Sequence, residues 1–478
     1  MSITPVTADQ ESDVPRRQRV SPQPGPVSRV RLSRPRVRPL AAFAALAAGL
    51  VLVALLPWEW SFIDDGALLT VLHAKQNAHG AILAVPADIY QMYRTDLSWG
   101  LFRPSYWVYC GIFYLLPVGP AHAVRVAMLL AALAGPLLVV WRAFAGRVRP
   151  AMLGWTAATL LSDGSLYMGV WYPSLQELSG LCFVGLGLIA RRPWLRASCW
   201  LVAAWFKAPF AWLLLGYGLL LCRRRETRAV GAAAAAFGVG TVVAAVIFAH
   251  DGRYTAAMTF ARSAVELNLG NACALLGGAL VAVVAGLVAL RPRLDLGGDP
   301  TPAALLIGGA GYLANLLIWH TDSYYASPYV YLFSVGILLA VRDVAPVSGA
   351  RLCASLATPV FVAGYFGLAA VHAGRSNTGT VVGLRDCVLR LPDGVNVGYN
   401  RQEAWIRLDY IVREHRPKWT GRMVMVEPDQ TAGMSRTGRV GHLDYFINQP
   451  GYYSAAPSLT AGPVVCRTPG ATVYRVIS

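Results

Sequence analysis

The stretch Trp58-Glu59-Trp60-Ser61-Phe62-Ile63-Asp64-Asp65 follows directly on an apolar run at 39–57 that is long enough to cross a bilayer. Tryptophans at such an edge sit naturally at the lipid–water interface. Two adjacent carboxylates a few residues further on are costly this close to hydrocarbon unless they face water and do chemistry. The same loop closes at Phe102-Arg103-Pro104-Ser105-Tyr106, after which apolar sequence resumes. A membrane protein with reactive groups at its outer surface is the reading that this placement supports.

Composition agrees. The chain is 55% hydrophobic and 14% charged, against roughly 25% charged in a soluble domain. Its net charge of +17 invites a nucleic-acid reading, but the arginines cluster in short links between apolar runs. That pattern expresses topology and argues against a nucleic-acid partner. Residues 1–38 are polar and rich in Pro, Arg and Ser, and end in Arg34-Pro35-Arg36-Val37-Arg38. They are expected to form a disordered basic tail held on the cytoplasmic side. The run at 39–57 is too long for a cleaved signal and is read as a retained helix.

About eleven membrane segments are expected over 39–371, at 39–57, 121–141, 150–162, 174–190, 196–206, 209–222, 229–249, 271–290, 302–319, 326–341 and 352–371. With the N-terminus inside, the inner links carry fourteen arginines, while the longer outer links hold only Lys75, Arg94, Arg103, Arg253 and Arg262. This is the positive-inside asymmetry. The apolar stretch 105–118 is too short to cross and is placed as a re-entrant or surface helix within the first outer loop, 58–120. The short segments 196–206 and 209–222, joined at Lys207-Ala208-Pro209, read as a shallow hairpin with a lysine at its tip.

Residues 372–478 regain charge, and an odd number of crossings puts them outside. Strand-like runs at 422–426 and 472–477 and a helix-like 402–415 predict a small extracytoplasmic α/β domain. Six of the eight cysteines lie in apolar segments; Cys387 and Cys466 alone lie in this tail. A pair in an oxidising compartment reads as a disulfide.

The outer loops collect the reactive side chains. The first holds Asp64, Asp65, Asp88, Asp96 and Arg103; the second holds Asp163, Tyr167, Trp171 and Tyr172, followed by Glu177 at a helix start; the third holds Asp251, Arg253, Arg262 and Glu266. The turn at 319–329 adds His320, Asp322 and Tyr325. Acids, arginines and sugar-sized aromatic platforms on one face suit a sugar carried on a polyprenyl phosphate. The phosphate is a good leaving group, so the enzyme needs a carboxylate to take the acceptor proton and cations to hold the phosphate as charge builds. Asp64 or Asp65 fits the first role, and Arg103 and Lys207 the second. Glu177, His320, Asp322 and Tyr325 are the candidate substrate-binding residues. Structural readings stand beside these: helix capping by the acid pair, Arg103 paired with Asp96, and Lys207 paired with a buried carboxylate such as Glu177.

In the acid pair after the first span, the Arg-Pro-Ser-Tyr-Trp segment at 103–107 and the short-helix pair around Phe206-Lys207-Ala208-Pro209, the chain resembles the GT-C superfamily of integral-membrane glycosyltransferases. The resemblance covers roughly 39–340 and implies an α-helical polytopic fold with a small outer C-terminal domain. It also implies a polyprenyl-phosphate or pyrophosphate sugar donor, with Asp64 as base and Asp65 as its partner or substitute. An Arg-Pro stands where the dolichol-type protein mannosyltransferases and the aminoarabinose transferases have a His-Pro-Pro-like segment, and there is no oligosaccharyltransferase Trp-Trp-Asp signature.

The function expected is transfer of a sugar to a glycan, lipid or protein acceptor at the outer face of a cytoplasmic membrane. The Ala, Gly, Arg and Val content points to a bacterium. An O-antigen polymerase or ligase using Arg253, Arg262 and His320 is the alternative. A transporter or flippase ranks below both, because no second copy of the hairpin is visible. A cofactor is left open: Asp64 and Asp65 could hold Mg²⁺ or Mn²⁺ with Glu177 or Asp322, since such ions prefer oxygen ligands.

Overall fold

Apolar runs set between proline and arginine links become helices here, because a backbone away from water has to satisfy its own hydrogen bonds. The computed structural model describes residues 58–62, 65, 68–69, 71–72, 81–145, 148–161, 164–250, 283–284, 286–288, 290–318, 327–344, 378–401, 404–426, 434–435, 438–439, 442–450 and 462–477. The spans expected at 39–57 and 352–371, the basic tail 1–38 and most of 271–290 lie outside the described residues.

The helices, in chain order, are α1 (Ala81–Trp99), α2 (Pro104–Phe113), α3 (Val118–Ala143), α4 (Val148–Leu161), α5 (Gly164–Trp171), α6 (Glu177–Ile189), α7 (Pro193–Phe206), α8 (Ala211–Cys222), α9 (Arg228–His250), α10 (Pro300–Ile318) and α11 (Ser327–Ala340). Among the described residues, two helical stretches, Val118–Ala143 and Arg225–Ala249, are long and apolar enough to cross a membrane. The expected hairpin is α7 and α8 around a single 3-10 turn, Ala208–Phe210, with Lys207 extended at the break.

Two helices go beyond the sequence expectation. Within 58–120 the structure has α1 as well as the short helix α2. Ala84, Asp88, Met92 and Asp96 recur every fourth residue along α1 and are all buried. Two acids in that stripe hide it from a reading that looks for apolar periodicity. The loop expected near 163–173 is largely the short helix α5.

Close backbone approach fixes the pairing of α3 with α6. A Cβ on Gly135 would fall 2.6 Å from the Cα of Gly185, and one on Gly185 would overlap the carbonyl of Ala131. The α8–α9 pair repeats the device, with Gly218 and Gly231 facing each other. Small residues at such crossings let helices without a hydrophobic driving force gain dispersion contact.

Downstream lie α12, whose described residues are 378–388, and α13 (Ala404–His415). A seven-stranded mixed sheet follows: β3 (Asn396–Tyr399), β4 (Arg422–Met425), β5 (Met434–Ser435), β6 (Gly438–Arg439), β7 (Tyr445–Asn448), β8 (Val464–Arg467) and β9 (Thr472–Arg475), in the order β6-β5-β4-β3-β7-β9-β8. Two further short strands, β1 (Arg293–Leu294) and β2 (Val341–Asp343), pair with each other beside the bundle. β3 runs parallel to β4 and β7, and α13 forms the crossover from β3 to β4. It turns Ala404, Leu408, Ile411 and Val412 inward, the spacing of an amphipathic helix. A disulfide joins Cys387 on α12 to Cys466 on the edge strand β8, with the Cα atoms 6.4 Å apart. One hydrophobic core runs without a break from Trp58 and Trp60 through the helices to Val397, Leu408 and Val473 of this layer.

The glycine crossings generate a signed prediction. Gly185→Ala is expected to lower thermal stability in detergent, since overpacking costs about 1–3 kcal/mol. Gly240→Ala, where an added Cβ meets nothing within 4 Å, is expected to be neutral or to gain up to about 1 kcal/mol from helix propensity. Equal melting temperatures for the two variants would contradict the packing account.

Candidate active site

The site is built around α2. Pro104 sets the first turn of this helix, where a missing N–H is harmless, and leaves Arg103 just outside it at the N-cap position. The Arg103 guanidinium grips Asp96 of α1 through Nε (3.0 Å) and Nη2. Trp107 donates its indole N–H to the same carboxylate at 2.7 Å. Arg103 also lies 4.5 Å from the ring centre of Tyr106. Burial works against its charge, and Asp96 overrides that effect, so its pKa lies above the ordinary arginine value. Nη1 has no hydrogen-bond partner among the described residues and remains available as a donor.

At the other end of α2 stands Asp65, fully buried. Its Oδ2 accepts from the amide and the hydroxyl of Ser61, each at 2.8 Å, and its Oδ1 accepts from the phenol of Tyr114 at 2.8 Å. Asp64 lies outside the described residues.

Lys207 reaches Glu177 at 2.6 Å. Glu177 opens α6, where the helix dipole favours a negative charge. Phe206, next to Lys207, packs edge-on to Tyr109 at 5.8 Å, which sets the lysine level with the middle of α2. Lys207 feels the charge of Arg103, and Cys110 feels those of Arg103, Asp96 and Asp65 together. Arg103 and Asp65 themselves attach to opposite ends of α2, about 15 Å apart along its axis.

Sequence reasoning passed over Arg125, the fully buried cation of α3. Its guanidinium donates to the carbonyls of Gly169 (2.9 Å from Nε) and Leu175 (3.3 Å), the hydroxyl of Ser179 (2.9 Å) and the phenol of Tyr109 (3.1 Å). No carboxylate lies within ion-pair distance among the described residues. The signal was present: an arginine seven residues into a 26-residue apolar helix, well away from the Arg142 end, is expensive and calls for a role.

Of the other candidates, His320, Asp322, Tyr325, Asp163 and the loop with Asp251, Arg253, Arg262 and Glu266 lie outside the described residues. Among the described residues no three His, Cys, Asp or Glu side chains gather as a metal site. Glu177, weighed as an oxygen ligand, is engaged by Lys207, and both oxygens of Asp65 already carry donors.

A cleft opens between the first loop and the C-terminal layer. Glu59, with its side chain fully buried, bonds Arg385 and, at 3.1 Å, His415. Beside it lies a cavity of 240 Å³ whose wall includes Ser61, Trp171, Tyr172 and Arg401.

Compared with solved structures, the chain is similar to ArnT from Cupriavidus metallidurans bound to undecaprenyl phosphate, with a TM-score of 0.51, 13% identity, and 92% of this chain and 98% of that one covered. The apo form of the same protein gives a TM-score of 0.49 over 91% of this chain and 97% of that one, at 13% identity. The chain thus shares the fold of ArnT over most of its length. No family model and no curated protein matches the chain.

Arg125→Met would leave buried carbonyls and hydroxyls without their donor, at about 1–3 kcal/mol each. It is expected to destabilise the fold by about 3 kcal/mol or more, with Arg125→Lys recovering only part, because an ammonium cannot reproduce the fork. Thermal unfolding in lipid nanodiscs checks this. A stable Arg125→Met protein would remove Arg125 as the organiser of the site.

Proposed function

We propose that this chain transfers a sugar from a polyprenyl-phosphate donor to an acceptor hydroxyl at the outer face of a bacterial cytoplasmic membrane. The observation that carries the reading is the ArnT fold shared over 92% of the chain, in a protein solved with undecaprenyl phosphate bound. The residues support it independently. Lys207 and Arg103 are two largely buried cations. Each is held by an acid, so the guanidinium fork and the ammonium are preorganised for a phosphate. The disulfide of Cys387 with Cys466 supports an extracytoplasmic position for 372–478, and multi-pass placement of 39–371 with a cytoplasmic N-terminus follows from the arginine asymmetry.

In this reading Asp64 is the base. Asp65 is buried, with its oxygens already engaged by Ser61 and Tyr114. The acceptor hydroxyl gives its proton to Asp64 as its oxygen attacks the anomeric carbon. The bond from that carbon to the phosphate oxygen breaks, and the electron pair leaves with the phosphate, which Lys207 and Arg103 hold. A single displacement of this kind inverts the anomeric centre. Glu177 holds Lys207 in place; His320, Asp322 and Tyr325 are assigned to the substrate side.

The test is a transfer assay in lipid nanodiscs with a panel of radiolabelled polyprenyl-phosphate sugars and a crude cell-wall glycan. Wild type is expected to transfer one of them. Asp64→Asn should lose at least about a hundredfold, in line with removal of a general base, and Lys207→Ala should lose activity mainly through the donor. Transfer that survives the loss of both Asp64 and Asp65 would sink this mechanism and turn the search to Arg253, Arg262 and His320.

A further inference from the structure

The side chain of Glu59 is fully buried where the first loop meets the C-terminal layer. One of its oxygens accepts from the amide of Trp60 at 3.0 Å. The other takes Arg385 of α12 and, at 3.1 Å, His415, the last residue of α13. A buried carboxylate is tolerated only while its partners stay in place, and removing one of them is costly. Here the partners differ in kind. Arg385 is charged at any pH a protein meets, whereas His415 brings a positive charge only when its ring is protonated. The His415 side chain is 35% exposed, so its ring can exchange a proton with solvent while Glu59 stays sealed.

The neighbouring charges decide the sign. Glu414 stands next to His415 at the same rim. Partial desolvation and then the charge of Glu59 raise its carboxyl above the ordinary value, against the opposing pull of His415. By linkage, a carboxyl raised on folding contributes stability below its ordinary range and loses it as the pH rises through the raised value. Histidine loses its charge between about pH 5 and 8. Both changes push one way. In acid the carboxylates Glu59 and Asp386 are balanced by Arg385 and His415; in alkali Glu59, Asp386 and Glu414 face Arg385. The surrounding groups do not reverse this trend. Burial and Glu414 push the phenol of Tyr410 on α13 up, so it stays neutral. Arg401 across the cavity and Arg416 beside His415 keep their charge throughout. His122 of α3, packed on the ring of Trp58, can only lose positive charge over the same range.

We infer that Glu59, Arg385, Glu414 and His415 form a pH-sensitive clasp between the first loop and the C-terminal layer, fastened in acid and released as the pH rises. The clasp stands on the geometry of the seam and does not depend on the transfer reaction. In the outward placement proposed above it meets the pH of the medium. Its release reaches the carboxylate network of the site, because Ser61, just beyond Trp60, holds Asp65 through its amide and hydroxyl.

Hydrogen–deuterium exchange of the full-length protein in nanodiscs, corrected for the intrinsic rate at each pH, tests it at about pH 5 and about pH 8, the two ends of the histidine range. Protection of 58–62 and of 378–388 on α12 is expected to fall about tenfold or more at the higher pH, the value of one hydrogen bond to a charged group. The segment 177–189, inside the helices, should keep its protection. His415→Lys, which fixes the positive charge, combined with Glu414→Gln, which removes the repelling one, should level the response. His415→Asn, which never carries the charge, should be loose already at the lower pH. Far-ultraviolet circular dichroism and melting establish that the variants fold. Equal wild-type protection at both pH values would overturn the clasp without any variant. A fall shared by 177–189 would do the same, since that is global unfolding, as would a response unchanged in the folded charge-fixed variant. So would a folded His415→Asn protein protected in acid as well as wild type.

Discussion

The Arg125 guanidinium is the constraint on which the rest of the site depends. A full charge buried in an apolar helix is tolerable only when every donor is matched and the geometry is held. Here the matching groups come from elements far apart in sequence: Tyr109 on α2, the Gly169 carbonyl in α5, the Leu175 carbonyl before α6, and Ser179 within it. One side chain thereby fixes the helix that links the two ends of the charge array, the segment that carries Trp171 and Tyr172, and the helix start that carries Glu177. Carbonyl oxygens supply most of the compensation, which leaves the nearby carboxylates to their own partners.

Around that hub the polar groups fall into three separate units. Asp96 holds Arg103, Glu177 holds Lys207, and Ser61 with Tyr114 holds Asp65. Each unit is locally satisfied, so no charge has to move to satisfy another. Groups arranged this way are oriented in advance and need little reorganisation, the condition under which fixed charges and dipoles act most strongly. The acid end and the arginine end of α2 are held by separate partners, with Lys207 at the level between them.

The seam between the helices and the C-terminal sheet has its own anchor in Glu59. Its carboxylate, fully buried, ties Trp58-Glu59-Trp60 to Arg385 on α12 and His415 at the end of α13. Phe62 continues the seam by packing against Tyr399 of β3. The disulfide between α12 and β8 braces the far side of the same layer. The cleft is therefore lined by the first loop, by Trp171 and Tyr172, by α12 and by residues just beyond β3 and β7.

Local chemistry settled what the sequence alone determined. The helical character of 118–143, 177–189 and 228–250, the short helix after Arg103-Pro104, the break at Lys207-Ala208-Pro209 and the helix at 404–415 are all written in periodicity, proline position and apolar length, which act over a few residues. The Arg103–Asp96 and Lys207–Glu177 pairs were legible as alternatives, because a charge near a bilayer needs a partner and few are available. Only the tertiary structure decided the rest. Helix α1 escaped because acids occupy its buried stripe; strands β3, β7 and β8 escaped because four-residue strands acquire their identity from neighbours in a sheet. Arg125 was visible as an anomaly, but its partners were not, since they come from other elements as much as 54 residues away. The cavity at Trp171 is assembled from segments hundreds of residues apart, and a pattern confined to neighbouring residues holds no information about which of them meet.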